Sequence, residues 1–353
     1  MRYIFSTRIG QASEEMEIAM LKVGVLGSGF MGSTHARAFA KQPGVQVVGV
    51  ASRTLAKAET LAREFGDCVA STDFIALVND PAVDVVSNTL PTPFHEEYTL
   101  ASLRAGKPVL LEKPMALTLE TCDAIIDTAR QTGVILMLAH VIRFWPEYLA
   151  LHSLISSGEL GSPLAATARR LSARPQWGDW YNNADWTGGA VLDLHIHDLD
   201  ALNWFFGTPL TIYSRGQRGP HGAWDYALTV VDYGDVKASA EGTLMMPDGY
   251  PFTMSFSVLF EWGSAEFSFR AGGASVGSGA SEGTSLTVYQ TGQQPRSLVS
   301  VSGDAFEAEV GYFVECVRTG KTPERGTPKQ GRLAVQTCLA ARHAMETNQV
   351  VVL

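Results

Sequence analysis

From Leu21 to Leu138, short apolar runs alternate with stretches whose apolar positions recur every three or four residues. The runs fall at 22–26 (KVGVL), 46–51 (QVVGVA), 83–88 (VDVVSN), 108–111 (PVLL) and 134–138 (VILML), and predict buried strands. The stretches between them, at about 31–42, 54–65, 72–78, 94–105 and 118–132, predict helices. Parallel strands need a long crossover, and crossover helices cover both faces of the sheet. The alternation therefore predicts a doubly wound parallel sheet, an α/β unit over 21–142.

After Arg143 the period changes. A helix is expected at 146–157, followed by β-branched and aromatic runs at 164–172, 210–218, 225–233, 235–244, 252–260 and 265–270. Most of these runs have no crossover helix between them, so the second unit, 143–353, is expected to be α+β on a largely antiparallel open sheet. The Gly/Ser-rich segment 271–285 reads as a surface loop, and residues 1–20 as a loosely ordered extension that precedes the first strand.

Composition narrows the partners. A net charge of −9 leaves no basic stripe for nucleic acid or an anionic membrane. No apolar run reaches the roughly 18–20 residues that span a bilayer. Cys68, Cys122, Cys316 and Cys338 lie far apart without a C-x-x-C pair, which reads as a reduced cytoplasmic protein.

The first strand is followed by GVLGSGFMGSTHARAFA, in which Gly27, Gly29 and Gly32 make G-x-G-x-x-G around Phe30 and Met31. This motif sits between a strand and a helix, the context in which it cradles a dinucleotide diphosphate on the helix N-terminus. An acidic residue for the NAD ribose is expected some 20 residues later, but Ser52 and Arg53 stand there, with Lys57 one turn on. A guanidinium suits a 2′-phosphate, so NADP is the expected cofactor, with NAD the alternative.

Glu112-Lys113-Pro114 closes a predicted strand at the sheet edge where ligands bind. A structural alternative is a lysine paired to Glu112 or another carboxylate. Together with the glycine turn, the stretch LPTPFHEEYTLASLRAGKPVLLEKPMALT resembles the glucose–fructose oxidoreductase/inositol dehydrogenase (Gfo/Idh/MocA) family. The resemblance extends from about Leu21 to the C-terminus. It implies that Lys113 touches nicotinamide and substrate, that Leu90, Pro91 and Thr92 line the nicotinamide ribose with His95 behind them, and that Glu112 borders the cofactor.

The family's second motif, G-G then D-x-x-x-H, matches Asp193 and His197 within GGAVLDLHIHDLDALNWF. At i and i+4 on one helix these two face the same cleft, while His195 faces elsewhere and Asp198 and Asp200 read as helix-start polar groups. No metal is expected, because two ligands without a nearby Cys or H-E-x-x-H do not complete a site. The catalytic expectation is therefore Lys113, Asp193 and His197, with Arg143, Trp180 and Tyr181 also at the substrate. Trp177, Trp180, Tyr181 and Trp186 lie among amides and carboxylates, and suit either a sugar face or a satellite core.

The implied activity is NAD(P)-dependent oxidation of a sugar, inositol or related polyol by a homo-oligomer. Two alternatives remain beside it: a redox-neutral hydrolase or isomerase with bound cofactor, and a non-catalytic regulator, which would lack one of the three residues present here.

Overall fold

The computed structural model describes residues 20–176, 178–271, 286–298 and 303–353. The expected N-terminal extension, Trp177 and all of the Gly/Ser-rich loop beyond Ala271 lie outside the described residues.

The first unit runs β1 (Leu21–Leu26), α1 (Phe30–Ala40), β2 (Val45–Ala51), α2 (Leu55–Ala62), β3 (Val69–Ser71), α3 (Phe74–Asn79), β4 (Val85–Asn88), α4 (His95–Arg104), β5 (Val109–Glu112), α5 (Leu119–Thr132) and β6 (Leu136–Ala139). Its strands form one parallel sheet in the order β3-β2-β1-β4-β5-β6. The order reverses between β1 and β4, and that switch opens a crevice at the strands' C-terminal ends. The five predicted strands are present. The sixth, β3, is a three-residue edge strand whose Val69 is exposed, so it carries no apolar run to reveal it.

The second unit contains α6 (Pro146–Ser157), β7 (Pro163–Ala173), α7 (Ala184–Thr187), α8 (Gly189–Asp193), α9 (Ile196–Phe206), β8 (Thr211–Arg218), β9 (Trp224–Asp232), β10 (Lys237–Met246), β11 (Phe252–Phe260), β12 (Gly263–Ala271), β13 (Leu286–Gln290), β14 (Arg296–Leu298), α10 (Ala305–Thr319), α11 (Pro328–Thr347) and β15 (Val351–Val352). The nine strands make one sheet, β14-β13-β12-β11-β7-β10-β9-β8-β15. All its pairs are antiparallel except β7 with β10. One face is buried through Ala166, Ala168, Ala227, Ala240, Phe256 and Val258, while Leu228, Val230 and Leu259 project from exposed positions between them.

The C-terminal helices tie the units together. Asp304 caps α10 by accepting from the Phe306 and Glu307 N–H groups, and Thr327 and Gln330 form a capping box on α11. Phe313 of α10 meets Phe39 of α1 edge-on at 6.2 Å, in a core shared with Val23 and Val47. Val335 and Cys338 of α11 join a larger core that includes Leu111 and Leu138 from the first sheet and Ile196, Leu199 and Phe256 from the second unit. This continuous core fixes the cleft between the two sheets.

Candidate active site

A cavity of about 770 Å³ runs from the glycine turn to α9. Gly27 has φ +111°, and a β-carbon there would lie 2.6 Å from Thr89 Oγ1. A β-carbon on Gly32 would come 2.2 Å from the Gly27 carbonyl oxygen, so α1 packs on the turn only with glycine. Gly29, the N-cap of α1, has open space around its Cα and, as a glycine, brings no capping side chain of its own. A helix start beside an open glycine is the cradle a diphosphate requires, and the residues fit a dinucleotide.

At the end of β2, the Ser28 hydroxyl donates to Ser52 Oγ at 2.8 Å, and Ser52, Arg53, Thr54 and Lys57 line the cavity. The carboxylates lining the cavity among the described residues are Glu112 and Asp193, neither of them on β2 or α2.

The far end of the cavity is built from both units. Lys113 Nζ lies 3.1 Å from Asp193 Oδ1 and donates to the Asp193 carbonyl oxygen at 2.7 Å. The Tyr181 hydroxyl donates to Asp193 Oδ2 at 2.6 Å. Burial, reinforced by the Asp193 charge, pushes the Tyr181 phenol well above its usual range, so it keeps its proton. Glu112 is not the lysine's partner. Its Oε2 accepts from the Lys113 backbone N–H at 3.0 Å, and its Oε1 lies 3.0 Å from His35 Nε2.

Asp193 and His197 do share the cavity, although not on one helix as expected. The helix breaks after Asp193: the His195 N–H reaches back five residues to the Ala190 carbonyl at 2.8 Å, and α9 starts at Ile196. The His197 N–H bonds Leu194 O instead, leaving the Asp193 carbonyl for the lysine. The ring of His197 lines the cavity, and its Nδ1 is buried without a hydrogen-bond partner among the described residues. Burial, and then the charges of Lys113 and Arg170, hold this imidazole well below its usual pKa, so it is neutral and able to take a proton.

Several expectations need correction. Arg143 does not line the cavity: it is buried, with Nε and Nη2 each 2.8 Å from the Asp200 carboxylate and its guanidinium 5.4 Å from the Trp204 ring centroid. Asp198 does stand in the first turn of α9, but neither it nor Asp200 is a surface group. Asp198 takes a two-pronged contact from Arg170, at 2.8 and 3.1 Å, and both aspartates are fully buried. A buried carboxylate requires such a partner, and each arginine comes from a distant part of the chain. His95 lies behind the wall, its ring nitrogens 2.7 Å from Leu90 O and 2.8 Å from Pro114 O, where it links the 90–92 turn to the cis Lys113–Pro114 peptide.

Gly27, Gly29, Phe30, Met31, Ser52, Arg53, Lys57, Leu90, Pro91, Thr92, Glu112, Lys113, Trp180, Tyr181, Asp193 and His197 all border the cavity, whereas Gly32 and His95 support it from behind. His195 faces away, as expected, with Nε2 2.9 Å from Thr229 Oγ1. The reading missed Arg170, Trp145, Phe252 and Met254, which line the cavity from the second unit and the linker before it. An arginine on a strand between alternating small residues was the available signal for Arg170.

Two family models match in tandem: the oxidoreductase family with an NAD-binding Rossmann fold over residues 21–140, and the GFO/IDH/MocA C-terminal domain over 148–266. Scyllo-inositol 2-dehydrogenase (NAD(+)) of Bacillus subtilis is 29% identical over 318 residues, covering 86% of this chain and 88% of that protein. Scyllo-inositol 2-dehydrogenase (NADP(+)) of the same organism is 30% identical over 240 residues, covering 67% of this chain and 66% of its own length. Among solved structures, the aldose-aldose oxidoreductase of Caulobacter crescentus, complexed with glycerol, aligns with a TM-score of 0.82 at 21% identity, over 95% of this chain and 100% of that one. The chain therefore belongs to the Gfo/Idh/MocA family of NAD(P)-binding oxidoreductases.

Proposed function

We propose that this protein is an NADP-preferring dehydrogenase of an inositol, sugar or related polyol, with Lys113, Asp193 and His197 as its catalytic residues. One observation carries the reading: a lysine from the first unit and a carboxylate and imidazole from the second meet in the cavity that begins at the glycine turn. Nicotinamide, when bound, exchanges hydride with the carbon that bears the reacting hydroxyl. His197 takes that hydroxyl's proton, and returns it in the reverse direction. The Lys113 ammonium offsets the negative charge that grows on the oxygen as the proton leaves. Asp193, gripping Lys113 and held by Tyr181, sets where that ammonium points.

Arg53 and Lys57, with no carboxylate beside them in the cavity wall, support the choice of NADP. The relatives acting on scyllo-inositol make inositols the first compounds to test. The exposed sheet positions Leu228, Val230 and Leu259 support self-association through that face, which sedimentation would read directly.

The test is a panel of inositols and aldoses assayed with NADP and NAD separately. NADP is expected to give the higher kcat/KM, and Arg53→Ala to erode that preference. A wild-type preference for NAD of about tenfold, about 1.4 kcal/mol, refutes the cofactor choice. Product formed without net change in reduced nicotinamide refutes the dehydrogenase in favour of a redox-neutral enzyme.

A further inference from the structure

The tryptophan-rich stretch before α8 serves two different places. Trp180 lines the cavity and packs on Tyr181, with ring centroids 4.5 Å apart. Trp186, on α7, is not in the cavity wall. Its ring stands edge-on to Phe94 at 5.4 Å and 88°, and the Arg53 guanidinium carbon lies 5.9 Å from the Trp186 centroid and 6.0 Å from that of Phe94. Arg53 follows β2 and Phe94 follows the 90–92 turn, whereas Trp186 arrives from the second unit. Among the described residues, no carboxylate or carbonyl holds the Arg53 guanidinium, so the two rings are its structural neighbours.

We propose that Trp186 is a specificity-determining residue for the adenosine end of the cofactor, acting across the cleft by holding Arg53 ready for a 2′-phosphate. The proposal rests on the reading of Arg53 given above. An arginine loses side-chain freedom when it grips a phosphate, and a guanidinium already placed against aromatic rings loses less. Contact with ring faces also leaves the guanidinium's N–H edge open for a two-pronged phosphate contact.

Trp186 itself is firmly set. Asn183 Oδ1 accepts the Asp185 N–H at 3.0 Å to start α7, and Gly188, in the left-handed region at φ +68°, ends it. The same segment carries Tyr181, five positions earlier, whose hydroxyl holds Asp193. One stretch of chain thus reaches both the residue that reads the 2′ position and the carboxylate that aims Lys113.

The experiment measures binding of 2′,5′-ADP and 5′-AMP to the full-length protein, with Trp186→Ala, Trp186→Phe and Phe94→Leu beside wild type. Wild type is expected to favour 2′,5′-ADP. Trp186→Ala should weaken 2′,5′-ADP by about three- to tenfold, the size of a lost cation–π contact, and leave 5′-AMP within about twofold. Trp186→Phe should keep most of the affinity. Phe94→Leu, which removes the other ring, should give the same selective loss, and decides the matter if Trp186→Ala does not fold. Equal weakening of both probes, an unchanged ratio, or tighter 2′,5′-ADP binding in the variants overturns the role of Trp186. A wild type that binds the two probes equally overturns the cofactor reading itself, and is seen before any variant is made.

Discussion

Replacing Lys113 by Met and Asp193 by Asn, singly and together, tests whether the two act as one unit. Their side chains are only 15% and 14% exposed, and their charged atoms lie 3.1 Å apart. At that distance unit charges attract by about 5 kcal/mol at an effective dielectric of about 20, and by about 1 kcal/mol in bulk water. A coupling on the order of 1–3 kcal/mol is therefore expected between the two sites. Lys113→Met removes the charge proposed to steady the developing oxyanion, and should lower kcat by about 10³-fold or more, about 4 kcal/mol. Asp193→Asn leaves the lysine on the Asp193 carbonyl, its 2.7 Å contact, and should cost less, about 10–100-fold. The double variant should be hardly worse than Lys113→Met alone, because a carboxylate that aims an absent ammonium has nothing to aim. Initial rates from reduced-nicotinamide absorbance give kcat and KM, and cofactor binding is followed in the same variants to confirm that the glycine turn is intact. If the losses simply multiply in the double variant, the two residues act independently and the positioning argument fails.

Other perturbations separate chemistry from scaffold. His197→Ala should cost about 10²–10⁴ in kcat. Because the His197 pKa is depressed, wild-type oxidation should hold as pH falls through 6.5 and decline only below it; an acid limb centred above 6.5, or one surviving in the variant, contradicts His197 as the base. His195 sits at about 3, lowered by burial and Arg170 from 6.5, so between those values the unfolded chain binds the extra proton and stability rises with pH. Acid titration of wild-type stability should therefore lose up to about 1.4 kcal/mol per pH unit below 6.5 through this group, and His195→Gln should shed about that slope; an unchanged slope refutes it. Trp180→Ala should raise the polyol KM with the melting midpoint nearly unmoved, whereas a large stability loss at constant KM would make Trp180 a packing residue.

The elements that read clearly in the sequence are those whose signal is local. Apolar runs marked five strands of the first sheet, and the glycine spacing marked the turn whose β-carbons would collide with Thr89 and Gly27. What escaped depends on distant partners. Asp193 and His197 read as positions i and i+4 of one helix, and nothing local announces that His195 bonds Ala190 and breaks it. Asp198 and Asp200 read as helix-start polar groups, and only the fold brings Arg170, 28 positions away, and Arg143, 57 positions away, against them. Arg143 reads as a substrate residue for the same reason, since an arginine near a cleft and an arginine under one are alike in sequence. Trp186 and Trp180 are neighbours along the chain, yet Trp180 lines the cavity and Trp186 packs by Phe94 and Arg53.

The buried ion pairs under α9 bear on the chemistry as well as on the fold. Arg143 follows β6 of the first unit and Arg170 lies on β7 of the second, so Asp200 and Asp198 pin one helix to both units. Removing one partner of such a pair costs about 3–5 kcal/mol, which makes α9 a rigid mount for His197. Each arginine also neutralises a buried carboxylate of α9. A bare carboxylate left in that core would favour the imidazolium, which cannot accept a proton. With Asp198 occupied by Arg170 and Asp200 by Arg143, burial acts on His197 first, then the charges of Lys113, Arg170 and His140, and all push it toward the neutral form. Neutralising Asp198 alone would leave Arg170 uncompensated and depress His197 further, whereas removing Arg170 would take away one of the charges that depress it. The acid limb of kcat should accordingly move up in pH for Arg170→Met, and also for the paired Arg170→Met/Asp198→Asn variant, because both lose the Arg170 charge. A limb that stays in place in both would mean that the pair holds the helix without tuning the base.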